Sequence, residues 1–217
     1  ETSLTVKTPA HVSAASVDVV VTTVGGSAIR VNGFRYFAVP VVTSLSTQVG
    51  PIAGGTTLTI NGSNLDGATK VSFGSVDVTT FSSVTDTAIV LVTPANPIGT
   101  VNVTVTTPGG ASADTSADDF RFFGVPVVSS LSPSRGPLAG GVSVTVAGSN
   151  LAGVSKVSFG STEVTSFVSV SDTAVVVVAP AGVAGTVDVS VSTPGGVSSV
   201  AGAANDFTYW AAPVVSA

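Results

Sequence analysis

An internal repeat of 86 residues restricts this chain more than any other feature. Pro40-Val41-Val42 returns as Pro126-Val127-Val128 (126 − 40 = 86), and the same offset carries Gly50-Pro51 onto Gly136-Pro137 and Gly54-Gly55 onto Gly140-Gly141. It also carries Gly62-Ser63-Asn64-Leu65 onto Gly148-Ser149-Asn150-Leu151 and Lys70-Val71-Ser72-Phe73-Gly74 onto Lys156-Val157-Ser158-Phe159-Gly160. Asp86-Thr87-Ala88 maps onto Asp172-Thr173-Ala174, and Thr107-Pro108-Gly109-Gly110 onto Thr193-Pro194-Gly195-Gly196. A unit of this length is long enough to bury a core of its own, so the chain reads as small domains in series.

The repeat predicts four segments: 1–38 as the back half of a repeat, 39–124 and 125–211 as complete repeats, and 212–217 as the first strand of a further one. In the first segment Glu1-Thr2-Ser3 stands where Asp86-Thr87-Ala88 stands, Thr8-Pro9 where Thr93-Pro94 stands, and Gly25-Gly26 where Gly109-Gly110 stands. Phe34-Arg35-Tyr36-Phe37 then matches Phe120-Arg121-Phe122-Phe123, and Pro213-Val214-Val215 restates Pro40-Val41-Val42. No signal peptide is visible at Glu1, so the chain is expected to be mature, trimmed or a window onto a longer array.

Within a repeat the apolar runs are short, alternate with Thr, Ser or Asn, and are bounded by Gly and Pro. Thr57 to Asn61 and Val101 to Val105 have the period-two alternation of half-buried strands. Lys70 to Phe73, Val76 to Phe81 and Ala88 to Val92 supply further strands, and Phe120 to Phe123 closes the repeat. In Thr-Pro-Gly-Gly, Pro presets the first central position of a tight turn and the following Gly accepts a positive φ. No stretch keeps a helical period. About seven short strands per repeat predict an all-β chain of tandem immunoglobulin-like Greek-key β-sandwiches.

These motifs resemble the IPT/TIG family of immunoglobulin-like domains over essentially the whole chain. The resemblance lies in Pro126 to Gly141 as the opening segment, the Gly-Ser-Asn-Leu and Val-Ser-Phe-Gly segments, and the closing Thr-Pro-Gly-Gly before an aromatic strand. Thr47 departs from the pattern where the next repeat has Pro133. The resemblance implies a module of a bacterial cell-surface or secreted protein. One such sandwich serves many roles, so it leaves the role itself open.

Composition narrows the function classes. Hydrophobic residues make up 44% and charged residues 9%, against about 25% charged in ordinary domains. Apolar runs such as Ala174 to Val178 stop at Pro180 or at Thr and Ser, far short of the ~18 residues of a membrane-crossing helix. Net charge is −5 and the seven Lys and Arg are scattered, so no basic stripe offers itself to nucleic acid. The absence of cysteine is compatible with export.

Site chemistry is sparse. The single His11 sits in an expected solvated loop with no Cys or second His to complete a zinc site or a triad. Asp118-Asp119 is the densest acidic pair, but Asn205-Asp206 follows in the next repeat and no spaced carboxylates accompany either, so a solvated strand entrance is favoured over calcium. Asp77 and Glu163 read as neighbouring but not identical repeat positions, the other acids as isolated, and no Gly-x-Ser-x-Gly elbow occurs. We therefore expect no enzyme, no catalytic residues, no cofactor and no metal. Lys70 and Lys156 recur and admit an isopeptide crosslink, a contact with the neighbouring domain, or a sheet-edge lysine that discourages edge pairing; the last is preferred. Outward Thr on strands such as Val101 to Thr107 is read as the ordinary wet face of a sandwich rather than an ice- or glycan-binding face. Asn61-Gly62-Ser63 and Asn102-Val103-Thr104 are glycosylation sequons.

The aromatic strands that close each repeat carry more. They run directly into Val39-Pro40, Val125-Pro126 and Pro213 with no Gly/Ser linker, so Phe37, Val39, Pro40, Phe123, Val125, Pro126, Trp210 and Pro213 are the expected inter-repeat contacts. The resulting expectation is a stiff extended rod, with some bending at modest joints. Its function would be that of a structural spacer, a stalk or filament segment of a large surface protein. Partners would be neighbouring repeats and other copies of the chain in a filament. The alternative is an adhesin or carbohydrate-binding accessory module with a glycan or protein ligand, Tyr209 or Trp210 stacking on a sugar.

Overall fold

The computed structural model of the chain describes residues 3–11, 13 and 15–213. The further strand expected at 212–217 falls almost wholly on 214–217, outside the described residues. The chain divides into two compact units, Glu1–Thr47 with Thr57–Thr93 and Asn102–Asp119, and Gln48–Thr56 with Pro94–Val101 and Phe120–Ala217. Among the described residues the secondary structure is β apart from one 3-10 turn at Ala203–Asn205.

A hairpin comes first, β1 (Ala15–Thr23) against β2 (Gly26–Tyr36). From residue 41 one succession of ten strands is written twice. The first complete repeat has β3 (Val41–Leu45), β4 (Val49–Pro51), β5 (Thr57–Ser63), β6 (Lys70–Phe73), β7 (Val76–Val78), β8 (Ser83–Val84), β9 (Ala88–Val92), β10 (Gly99–Thr107), β11 (Gly110–Ala111) and β12 (Asp119–Phe123). The second has β13 (Val127–Ser132), β14 (Arg135–Pro137), β15 (Ser143–Ser149), β16 (Lys156–Phe159), β17 (Thr162–Val164), β18 (Phe167–Val170), β19 (Ala174–Val178), β20 (Gly185–Thr193), β21 (Gly196–Val197) and β22 (Asp206–Trp210). Between β21 and β22 the second repeat holds one residue more than the first, and the 3-10 turn absorbs it.

In the second repeat one sheet has the order β13-β15-β19-β18 and the other β14-β22-β20-β16-β17, with β21 folded back on β20. Only β14 and β22 run parallel. The chain therefore changes sheets between β13 and β14, which is the crossover of a Greek-key sandwich. Alternation fixes what lies between the sheets. Val144, Val146, Val175 and Val177 point in from one side, and Val157, Phe159, Val189, Val191, Phe207 and Tyr209 from the other, in one buried cluster with Leu151. Each such side chain contributes roughly 1.5–3 kcal/mol by leaving water. Phe207 stands edge-on to both Phe159 and Tyr209, with centroids 5.2 and 5.0 Å away.

The first complete repeat has the matching four-stranded sheet β3-β5-β9-β8, β6 between β7 and β10, and β4 parallel to β12. Leu58, Ile60, Ile89, Leu91, Val71, Phe73, Val103 and Val105 are fully buried at the corresponding inward positions.

Three expectations need correction. The strand read as Val76 to Phe81 ends at Val78, where its ladder with β6 stops at the Val71–Val78 pair. Phe81 then precedes β8 in the other sheet. The seven strands become ten because fragments of two or three residues complete the sheet edges. In Thr-Pro-Gly-Gly the positive φ falls on the last glycine, 127° at both Gly110 and Gly196, not on the glycine before it.

Candidate functional site: the joint surfaces

The first glycine of each Pro-Gly-Gly turn has a different reason to exist. A Cβ at Gly109 would lie 2.1 Å from the carbonyl oxygen of Ala38, and one at Gly195 would lie 1.9 Å from that of Gly124. Backbone meets backbone there, so no other residue fits without moving the joint. Phe37 and Phe123 cover the neighbouring turn in the same way: a Cβ at Gly67 would be 3.3 Å from the Phe37 ring, and one at Gly153 would be 3.1 Å from the Phe123 ring. Both glycines have positive φ, 75° and 73°.

The Asn of Gly-Ser-Asn-Leu ties each joint. Asn64 and Asn150 occupy the left-handed region at φ 57°, which Asn tolerates better than most residues. From there the Asn64 amide donates to the Val39 carbonyl at 3.2 Å and the Asn150 amide to the Val125 carbonyl at 3.0 Å. The aromatic closers also carry a cation. The Arg35 guanidinium lies 4.4 Å from the Phe37 ring and Arg121 lies 4.6 Å from that of Phe123. Arg35 additionally pairs with Asp66 at 2.9 Å, both half-exposed. The second repeat has Thr208 where the first has Arg121, and Arg135 on the parallel neighbour strand supplies the cation instead, 5.9 Å from Trp210.

Of the residues anticipated at the joints, Phe37 and Phe123 meet the Asn-Leu-x-Gly and Pro-Gly turns, and Val39 and Val125 are about half exposed and contribute their carbonyls. Pro40 and Pro126 are buried. Trp210 is 59% exposed and Pro213 is exposed. Sequence reading missed Gly109, Gly195, Asn64, Asn150, Arg35, Asp66 and Arg121, although the recurrence of the first four was visible as a motif.

Other candidates resolve differently. Asp77 and Glu163 occupy one position of the repeat (163 − 77 = 86), and they hold the recurrent lysines: Lys70 to Asp77 at 3.0 Å, and Lys156 to Glu163. These lysines lie on β6 and β16, interior strands that reach across to edge strands β7 and β17, so the sheet-edge reading is wrong. Their partners are half-exposed carboxylates, not Asn. Ser72 donates to Asp77 at 2.6 Å, and with Lys70 it holds the Asp77 carboxyl below its ordinary value. Asp118 is not solvated but fully buried, accepting from Thr115 N and Oγ1 at 2.9 and 3.1 Å; its second oxygen, like the amide nitrogen of buried Asn205, has no partner. Among the described residues no three His, Cys, Asp or Glu gather where they could hold a metal. His11 is exposed, as expected of a loop, but it stacks on Tyr36 at 4.7 Å.

A cleft of about 400 Å³ opens beside Phe159, Gly182 and Tyr209 in the second repeat. The only titratable side chain on its wall is Tyr209, whose hydroxyl donates to the Pro180 carbonyl at 2.9 Å and whose pKa burial pushes up. That wall offers no acid–base pair.

Two-sheet Greek-key units following one another along the chain define a tandem immunoglobulin-like protein. The chain belongs to the IPT/TIG domain family, which matches residues 40–122 and 126–209. A structure of the plexin A4 full extracellular region, domains 1 to 10, is similar at 25% identity and a TM-score of 0.50, covering 80% of this chain and 16% of that one. SGBP-B from a complex xyloglucan utilization locus in Bacteroides uniformis is similar at 25% identity and a TM-score of 0.34, covering 73% of this chain and 47% of that one. Invasin, a bacterial integrin-binding protein, is similar at 14% identity and a TM-score of 0.28, covering 93% and 52%. The chain thus spans well under two thirds of each. No helix among the described residues is long and apolar enough to cross a membrane.

Proposed function

We propose that this chain is a non-catalytic, surface-exposed spacer, a stalk segment in which each repeat is held close to the next. The observation that carries the reading is the joint at Gly195, where the approach to the Gly124 carbonyl leaves no room for a single carbon atom. A contact without slack, tied by an Asn hydrogen bond and capped by an Arg-covered aromatic ring, costs chain entropy that an independent module would have no reason to lose. Low charge and the lack of acid–base or metal-ligating clusters among the described residues favour the non-catalytic reading. The plexin likeness, to an extracellular region, favours the surface.

Small-angle scattering tests the spacer. The expected particle is elongated, with a maximum dimension that grows by a constant step when another repeat is appended. A compact particle whose dimension does not grow refutes it.

A glycan-binding role has one specific support, the exposed Trp210 beside Arg135 and Pro137. The corresponding Phe123 is covered by the turns of the repeat that follows it, so we read Trp210 first as a joint surface. Glycan-array binding abolished by Trp210→Ala would reverse that order.

A further inference from the structure

The N-terminal hairpin presents an apolar face that both complete repeats keep dry. Thr8-Pro9 aligns with Thr93-Pro94 and Gly25-Gly26 with Gly109-Gly110, which makes the comparison residue by residue. Leu4 and Val6 are 72% and 69% exposed where Ile89 and Leu91 are fully buried. Val19, Val21 and Phe34 are about 40% exposed where Val103, Val105 and Phe120 are fully buried. In the second repeat the same five places are Val175, Val177, Val189, Val191 and Phe207, again fully buried. A groove of about 320 Å³ runs over this face between Val6, Pro9, Val19 and Phe34.

Among the described residues, neither outer edge of the hairpin is paired with a further strand. The counterpart of β1 is β10, which pairs antiparallel with β6 through Val103–Phe73 and Val105–Val71. The counterpart of the end of β2 is β22, which takes β14 in parallel through Gly136–Tyr209. Segment 3–9 aligns with β9 and the two residues after it but has no strand hydrogen bonding, whereas β9 is held between β5 and β8.

We propose that residues 3–36 are an acceptor half-sandwich whose occupant is the front half of an IPT/TIG repeat, a segment with the pattern of residues 39–85. One antiparallel and one parallel strand must arrive together on opposite edges of the hairpin, with apolar side chains descending on its face. A general hydrophobic partner does not meet that requirement. In the assembled unit Val19 faces the phenylalanine of a Val-Ser-Phe-Gly segment, as Val103 faces Phe73. The inference rests on family membership and stands whether or not the spacer reading holds.

The test adds a copy of this chain's own residues 39–85 ahead of Glu1, in register with the Asp86 equivalence, and follows amide hydrogen exchange in the whole protein. Amides of residues 4–8 and 17–21 are expected to slow by about 100-fold, to the rates of 89–92 and 101–105 in the same molecule. An extension carrying Ile60→Asp and Phe73→Asp in the added copy is expected to leave them fast. The proposal is overturned if neither extension slows these amides, or if both slow them equally. It is also overturned if the unextended chain already protects them while sedimenting at twice its mass, because a second copy of the chain would then be the occupant.

Discussion

Replacing Gly195 by alanine separates the joint from the sandwich. The new Cβ would sit 1.9 Å from the Gly124 oxygen, 2.6 Å from its carbonyl carbon and 2.9 Å from the Phe123 oxygen, all backbone atoms with no flexible tip to swing aside. Ordinary contact begins near 3.4 Å, so the two turns must part by about 1.5 Å (3.4 − 1.9). The Asn150–Val125 hydrogen bond, 3.0 Å long, does not survive such a shift, and its loss costs about 1 kcal/mol. Phe123 loses its seat on Gly153, which adds a similar amount through re-exposed ring surface. The joint therefore weakens by roughly 2 kcal/mol while the core around Phe207 is untouched. NMR relaxation reads the outcome: on the spacer reading, residues 40–122 and 126–209 are expected to share one correlation time in the native chain and to take two in Gly195→Ala. Gly196→Ala is the control, because its φ of 127° strains the hairpin by roughly 1–3 kcal/mol while its Cβ meets nothing nearer than Val125 Cγ2 at 4.0 Å. That variant loses stability but keeps a single correlation time. A double-mutant cycle completes the argument: Gly195→Ala and Asn150→Ala act on one contact and are expected to be non-additive. Additive losses, or a single correlation time in Gly195→Ala, refute the reasoning.

Further outcomes follow from the cores and the titrating groups. Phe207→Ala is expected to destabilise the second repeat by roughly 3–5 kcal/mol, read as a lowered urea midpoint; a loss below 1 kcal/mol contradicts the packing described. Tyr209→Phe installs the type that Phe122 supplies in the first repeat. It loses the Pro180 hydrogen bond, about 1 kcal/mol at neutral pH. Because burial raises the Tyr209 pKa, the native protein holds its full stability below pH 10.0 and loses part of it as pH rises through the folded value. The variant lacks that alkaline loss in pH-dependent melting. Asp77 runs the other way: its depressed pKa gives stability that is present above pH 3.8 and lost as pH falls through the folded value. Melting temperatures of native and Asp77→Asn proteins therefore converge in acid, and a pH-independent gap argues against the Lys70–Asp77–Ser72 cluster.

The fold was legible because period and alternation are one-dimensional signals. Leu58 and Ile60 in β5, or Val144 and Val146 in β15, declare their inward face through nearest neighbours alone. Edge fragments such as β8 and β11 carry two residues each and no such signal, so they appear only when a partner strand defines them. The joint was half legible. Aromatic residues leading into Val-Pro marked where repeats meet, but the glycine at 109 or 195 looks like any turn glycine until the carbonyl that excludes its Cβ is in place. Asp118 failed for a related reason: two adjacent acids suggest solvent, whereas the Thr115 turn folds one of them inward.

The arginines show at which level the joint is specified. In the first complete repeat the cation comes from the closing strand itself, Arg121 two residues before the ring it covers. In the second that position is Thr208, and the cation comes from Arg135, paired directly opposite Thr208 on the parallel strand. The residue has moved to another strand, yet the guanidinium still stands over the terminal aromatic ring. Such a ring–cation contact at an exposed site contributes only about 0.5–1 kcal/mol, too little to hold a sandwich together. The closing strand thus carries a terminal aromatic ring beside a guanidinium in both repeats, and two different arrangements of residues meet that same requirement.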